Sequence, residues 1–417
     1  MNVKKIIAGV LAVTMAVLMC SCNMERKKSA KDNEQPSSKT ESSAEGSLQA
    51  SSKSAKEQTS AEEEENESKV PEDWQDGGIF SDYYEKAYEL MEKMTTEEKV
   101  GQMILARCPE GEAYETAKEY HLGGYVLFDR DFLNKTKDDV ARQNNTYLKA
   151  HSIPMIIAVD EEGGTVSRLS GYSELTKEDF KSPRDLFNEG GLDAIKEDTQ
   201  RKSLLLSKLR INSNLAPVCD ISTGEDNFMY ERSLGQNASV TSMFVTEFTN
   251  ISQENGVSAT LKHFPGYGNN TDTHEGLAID KRTYETFKST DFKPFKAGIN
   301  AGAHMVLVSH NIVECMDSEY PASLSPKIHE ILRNDLGFTG IIVTDDLEMG
   351  AIKEYSPDYS PVVTAVLAGN DMLCVTDIEN SYELVLEAVH KGDIETKTIN
   401  HAVMRILAWK YAKGLLK

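Results

Sequence analysis

The stretch Lys262–Gly276, KHFPGYGNNTDTHEG, sets two histidines, a lysine and an aspartate around a turn rich in glycine and proline. Neither a helix nor a strand is built from FPGYGNNT, because proline lacks a backbone donor and glycine loses the most entropy on ordering. The stretch reads as a loop that holds titratable side chains in place. Three further runs carry carboxylates and cations beside apolar segments: AVDEEGGTVSRL (158–169), LAPVCDI with ERSLG (215–235) and VTDDLEMGAI (343–352). Taken singly, each has a structural alternative. An Asp after a strand is often a helix cap, and a bare Asp-x-His is more often an Asx turn. Chemistry is indicated only if such residues converge.

The elements that would make them converge are short apolar runs alternating with longer amphipathic ones. QMILA (102–106), GGYVLF (123–128), PMIIAV (154–159), NLAPV (214–218), SATLKH (258–263), HMVLVS (304–309), GIIVT (340–344) and DMLCV (371–375) read as buried strands. Segments with charged faces, such as DDVARQNNTYLKAH and SLSPKIHEILRNDLG, read as the helices between them. Continuous apolar strands alternating with helices imply a parallel sheet covered on its faces. Eight of them in one α/β series predict a (β/α)8 TIM-type barrel as a single catalytic domain. A dinucleotide fold is disfavoured, since no GxGxxG follows the first strand. In a barrel, reactive groups gather at the C-terminal ends of the strands. Those positions hold Asp160 with Glu161 and Glu162, Asp220, Lys262 with His263, His310, Asp345 with Asp346, and Asp377 near Glu379. For Asp377 and Glu379 a helix cap is the expected role.

The chain of 417 residues is long enough for a large core, yet only 39% is hydrophobic. Its first seventy residues account for part of that. Residues 1–22 carry Lys4 and Lys5, an apolar run from Ile6 to Met19, and then small residues and cysteine. This is a signal pattern, too short to span a membrane as a helix. It resembles a bacterial lipoprotein signal with Cys22 as the lipidated residue; Cys20 is the competing site, and an ordinary cleaved secretory signal is the plainer alternative. Residues 23–72 are Ser, Lys, Glu and Ala with almost no large apolar side chain, so a disordered tether is expected. The folded domain is expected over 73–417. A net charge of −22, from 67 acidic and 45 basic side chains, argues against nucleic acid as a partner. Cys108, Cys219, Cys315 and Cys374 show no metal-like spacing and are read as buried free thiols.

KHFPGYGNNTDTHEG, VTDDLEMGAI, AVDEEGGTVSRL, LAPVCDI with ERSLG, and MTTEEKVGQMI (94–104) together resemble glycoside hydrolase family 3, and within it the β-N-acetylglucosaminidase branch. The resemblance spans nearly all of residues 72–417. It implies that Asp345 is the nucleophile of a retaining mechanism and that His274, oriented by Asp272, is the acid/base. It further implies that Asp160, Arg232, Lys262 and His263 bind substrate and that neither cofactor nor metal takes part. The implied substrate is a GlcNAc-containing oligosaccharide or muropeptide. Membrane contact would come through the N-terminal lipid.

Tyr267 stands where that family commonly has His or Leu, Asn269 and Asn270 where Asp-Thr is frequent, and Thr165 where Arg is frequent. The loop between Gly268 and Asp272 is one residue shorter than in many members. Other readings are a β-glucosidase or β-xylosidase, a GlcNAc phosphorylase, and a catalytically inactive wall-binding lipoprotein. The Asp272–His274 pair separates the first from the reading above, dependence on phosphate the second, and any turnover the third.

Overall fold

The computed structural model describes residues 70–270, 272–274, 276–355 and 360–417. The signal segment, Cys22 and the tether up to residue 69 lie outside the described residues.

Among the described residues ten strands form in chain order: β1 (Ile104–Arg107), β2 (Gly124–Leu127), β3 (Ile156–Val159), β4 (Ser213–Asn214), β5 (Ser258–Phe264), β6 (Ile279–Asp280), β7 (Met305–Val308), β8 (Ile312–Val313), β9 (Ile341–Thr344) and β10 (Leu373–Val375). Eight of them pair in parallel in the order β10-β1-β2-β3-β4-β5-β7-β9. A bridge between Val343 and Met372, with Met372 N donating to Ile342 O at 3.0 Å, brings β9 against β10 and nearly closes the ring. The fold is the (β/α)8 barrel expected from the alternation. β6 and β8 form a separate two-stranded ribbon beside the mouth.

All four residues of β2, β3, β7 and β9 are buried, as strands enclosed on both faces must be. Each such aliphatic side chain contributes about 1.5–3 kcal/mol of transfer free energy. Two strands differ from the sequence reading. Gln102 and Met103 end the helix Thr96–Met103, whose start is fixed by a reciprocal Thr95–Glu98 capping box. β4 is only two residues long, because Pro217 offers no N–H to a ladder. The line of the barrel is carried on there by a bridge from Val218 to Lys262.

The two ends of the barrel are built differently. At the N-terminal end the helix Thr396–Ala412 inserts Trp409 and Lys410. Trp409 Nε1 donates to Ser258 Oγ at 3.1 Å, and Lys410 Nζ donates to Gln102 Oε1 at 2.6 Å. At the C-terminal end the loops after β3, β4, β5, β7 and β9 carry the polar residues that the sequence placed there. After β10, Asp377 caps the helix Ile378–Lys391, accepting from Asn380 N at 3.4 Å.

Candidate active site

The floor of the C-terminal end is an ion-pair network assembled from β3, β5 and the 220–235 segment. Lys262, at the end of β5, is 2% exposed. Its Nζ donates to Asp160 Oδ1 at 2.7 Å and lies 2.6 Å from Glu162 Oε1. An ammonium this deeply buried requires such partners. Burial alone would lower its pKa, but Asp160 and Glu162 reverse the effect and hold it above its ordinary value. Glu162 also takes a two-pronged contact from Arg232, Nε to Oε2 at 3.0 Å and Nη2 to Oε1 at 2.8 Å. Burial would raise the Glu162 carboxyl; Arg232 and Lys262 outweigh it and hold the group well below the usual carboxylate range. The same Arg232 Nη2 lies 3.1 Å from His263 Nε2. A guanidinium only donates, so Nε2 accepts and Nδ1–H donates to Asp220 Oδ2 at 2.8 Å. The turn after β3 is shaped from beneath by Glu161, whose carboxylate accepts from Arg168 N and Leu169 N, each at 2.9 Å. Gly163 is required there: its φ is +99°, and a Cβ would lie 2.2 Å from Lys181 O.

Asp345 follows β9 directly. Its N–H donates to Val308 O at 3.0 Å, and its own Oδ1 accepts from Asp346 N at 2.9 Å. Burial pushes its carboxyl up, yet His310 and the Asp346 amide more than compensate, so it sits below its ordinary value. His310 is wholly buried behind it. Its Nε2 donates to the Asp346 carbonyl at 2.9 Å, which leaves Nδ1 to accept from Ser323 Oγ at 2.7 Å. Asp346 faces the loop after β10. Its Oδ2 accepts from Thr376 Oγ1 at 3.0 Å and its Oδ1 from Glu348 N at 3.0 Å. Glu348 in turn accepts from Thr376 N at 2.7 Å and Asp377 N at 3.2 Å. Burial, with Asp346 beside it, pushes the Glu348 carboxyl up to about 7.

The loop after β5 carries the remaining pair. Asp272 Oδ1 accepts from both His274 Nδ1, at 2.6 Å, and His274 N, at 2.9 Å. The His274 side chain is 60% exposed and that of Asp272 23%. With Nδ1 committed to Asp272, Nε2 is the ring nitrogen free to exchange a proton with a ligand.

These parts enclose one cavity of about 670 Å³. Asp345, His274, Asp272, Asp160, Arg232, Lys262 and His263 all line it. Among the described residues, no group of three or more His, Cys, Asp or Glu is arranged to hold a metal ion.

A parallel barrel whose rim gathers carboxylates and histidines fits many hydrolases, so the comparison with known proteins decides among them. The model of the glycosyl hydrolase family 3 N terminal domain matches residues 95–409. The chain belongs to glycoside hydrolase family 3. Among family relatives it is 33% identical over 299 residues to a beta-hexosaminidase of Stenotrophomonas maltophilia (strain R551-3), covering 70% of this chain and 86% of that one. It is 30% identical over 320 residues to an uncharacterized secreted glycosyl hydrolase of Arthroderma benhamiae, covering 72% and 88%. A solved family 3 beta-N-acetylglucosaminidase from Paenibacillus sp. str. FPU-7 superposes with a TM-score of 0.71 at 30% identity. That match covers 77% of this chain, and the chain spans 63% of the length of the Paenibacillus protein. As a family 3 member the protein is a glycoside hydrolase.

Several residues of this family 3 site were not assigned roles by sequence reasoning. Glu162 and Asp220 were visible only as carboxylates at strand ends. Lys262 was the available signal for Glu162, since a buried ammonium calls for carboxylates beside it. Arg107, at the end of β1, also lines the cavity; its guanidinium stacks 4.1 Å from the centre of the Phe128 ring, and its buried Nε has no partner. An arginine closing an apolar run was the only sign of it. The described cysteines are free, but Cys315 is exposed and Cys374 only partly covered, which corrects the expectation of buried thiols.

Proposed function

We propose that the protein is a retaining exo-β-N-acetylglucosaminidase. What supports this reading is that Asp345 and the Asp272-held His274 line the same cavity as the Lys262–Asp160–Glu162–Arg232 floor. The similarity to beta-hexosaminidases adds to it.

In this reading the floor binds the terminal sugar. Asp160 keeps oxygen lone pairs for sugar hydroxyls, while Lys262 and Arg232 present donors already fixed by Glu162. Asp345 stays ionised and attacks the anomeric carbon. As the C–O bond to the leaving group breaks, His274 Nε2 delivers a proton to the departing oxygen. Asp272 carries the opposing charge that stabilises the imidazolium. Water then enters on the vacated side, gives its proton to His274, and displaces Asp345 with the β configuration restored.

Two guanidiniums bear on the aglycone. Arg107 has no ion-pair partner among the described residues. Arg168, whose Nε is buried without a hydrogen-bond partner, forms long ion pairs with Asp129 at 3.6 Å and Asp160 at 3.8 Å. The unspent positive charge of Arg107 at the cavity wall favours an acid-bearing neighbour such as MurNAc over an uncharged chitooligosaccharide. Lipidation at Cys22 would hold the enzyme at a membrane outside the cytoplasm. No helix of the described residues is long and apolar enough to cross a membrane.

The test is kcat/KM on p-nitrophenyl β-GlcNAc against the β-glucoside, with and without phosphate. The expected preference for GlcNAc is at least about tenfold, or 1.4 kcal/mol of transition-state binding. Equal rates on the glucoside, or turnover that depends on phosphate and yields a sugar phosphate, would contradict it.

A further inference from the structure

The Asp272–Thr273–His274 tripeptide presents its outer two side chains toward the cavity and buries the middle one. Asp272 is partly exposed, Thr273 fully buried and His274 exposed. Thr273 and His274 lie in a turn closed by His274 N–H on Asp272 Oδ1 at 2.9 Å, so whatever grips Thr273 at its centre sets where Asp272 and His274 stand. Two groups grip it. Its carbonyl accepts from Ala351 N at 3.0 Å, and its hydroxyl is hydrogen-bonded to the hydroxyl of Tyr267.

Tyr267 is itself held from every side. Its N–H donates to Asp220 Oδ1 at 2.7 Å. Asp220 uses its other oxygen for His263, so one carboxylate fixes both the end of β5 and the start of the loop. The ring is 1% exposed, packs edge-on against His263 at 5.2 Å and lies 5.7 Å from the Phe228 ring. Phe228 also meets the His274 ring edge-on at 6.4 Å. Burial, followed by the nearby Asp345 carboxylate, pushes the phenol pKa up, so the hydroxyl keeps its proton. Between Tyr267 and Thr273 the chain passes through Gly268, with φ of +57°, and two asparagines. These residues have little apolar surface with which to fix the loop. The hydroxyl pair therefore spans the loop at its base, joining its rigid entrance to the tripeptide that carries the histidine.

We propose that Tyr267 is a positioning residue for proton transfer, and that its hydroxyl clasp on Thr273 fixes His274 over the cavity. The proposal rests on the reading of His274 as the acid/base. The clasp would let a loop of small polar residues carry a proton donor at a defined height without a salt bridge to anchor it. Tyr267 touches neither the scissile bond nor the leaving group in this account; it acts through Thr273.

The experiment compares Tyr267→Phe, Thr273→Val, the double variant and Thr273→Ser on two substrates. One has a p-nitrophenolate leaving group, and the other is an unactivated GlcNAc disaccharide. Phe keeps the ring contacts with His263 and Phe228 and removes only the hydroxyl. Misplacing the proton donor should lower kcat about tenfold on the disaccharide and less than about threefold on the activated substrate. The double variant should be no worse than either single one, because the two hydroxyls form one interaction. Thr273→Ser should behave as the parent, since it keeps the hydroxyl. Equal losses on both substrates would overturn the proposal, because damage to Asp345 or to folding slows both alike. So would additive losses, or no loss at all. His274→Ala measured alongside separates the two levels. If it shows no dependence on the leaving group, the acid/base reading has failed. If it does and Tyr267→Phe does not, only the clasp has failed.

Discussion

The floor and the loop of this active site are built on opposite principles. In the floor each of these side chains is partnered: Lys262 by Asp160 and Glu162, Arg232 by Glu162, and His263 by Asp220. Lys262 and His263 sit on β5 and Asp160 directly follows β3, where the barrel cannot move them without breaking its ladder. The loop instead exposes most of the His274 ring and holds it by one carboxylate and a buried threonine. On the proposed function, the difference follows two tasks. Grasping a sugar requires donors and acceptors that do not reorganise, whereas proton transfer must follow a leaving group that departs. A glycosidase with a carboxylic acid in the second role would need a buried site to raise its pKa. Histidine needs no such site, so it can sit on an exposed loop.

The sharpest way to break this comparison is at Asp345, which belongs with the rigid part. Asp345→Ala should cost several orders of magnitude in kcat/KM, and it should do so equally for good and poor leaving groups. A loss graded by leaving group would mean that Asp345 takes part in protonation, and the division of labour would be lost.

A smaller effect separates the two regions by stability. Glu162→Gln leaves Lys262 and Arg232 short of a buried counter-charge. Breaking a buried pair in this way costs about 3–5 kcal/mol, a fall of several degrees in Tm. His274→Ala, on the exposed loop, should leave Tm within about a degree of the parent. Similar shifts for both, in a thermal melt followed by circular dichroism, would show that the loop is as structural as the floor.

The smallest expected effect is a pH dependence outside both regions, in the Asp346–Glu348–Thr376 bridge between the loops after β9 and β10. Glu348 sits near 7 in the folded protein against an ordinary 4.5. A carboxyl raised on folding binds its proton more tightly when folded. Its stabilisation is therefore complete below about pH 4.5 and is lost as pH rises through about 7. Glutamine mimics the protonated form, so the Tm of Glu348→Gln relative to the parent should rise by a degree or two between about pH 5 and pH 8. A flat difference would place the Glu348 proton elsewhere.

The barrel was legible in the sequence because its signal is local: each strand is a continuous apolar run bounded by turn residues. QMILA starts two residues too early as a strand because Gln102 and Met103 complete a helix whose cap lies at Thr95, outside the run. Asp160, Lys262, His263 and Asp345, which line the cavity, were legible as polar groups at strand ends, whereas Asp272, His274 and Arg232 stood out only through the family resemblance, which implied roles for all seven. Their partners were not. Glu162, Asp220 and Thr273 are ordinary residues in a one-dimensional reading, and only the closure of the barrel brings Glu162 to Arg232, 70 positions away. Tyr267 was noticed as a departure, but its hydroxyl partner six residues on could be seen only once the loop was folded.

The central claim is that Asp345 forms the covalent intermediate while His274 serves both of its steps. It is tested most directly in His274→Ala with p-nitrophenyl β-GlcNAc and azide. Without the base the second step stalls, so intact-mass measurement should show one GlcNAc attached to the protein, and peptide mapping should place it on Asp345. Azide needs no general base; it should restore turnover severalfold and release the β-glycosyl azide. An α-azide, no adduct, or an adduct on any residue other than Asp345 would contradict the account.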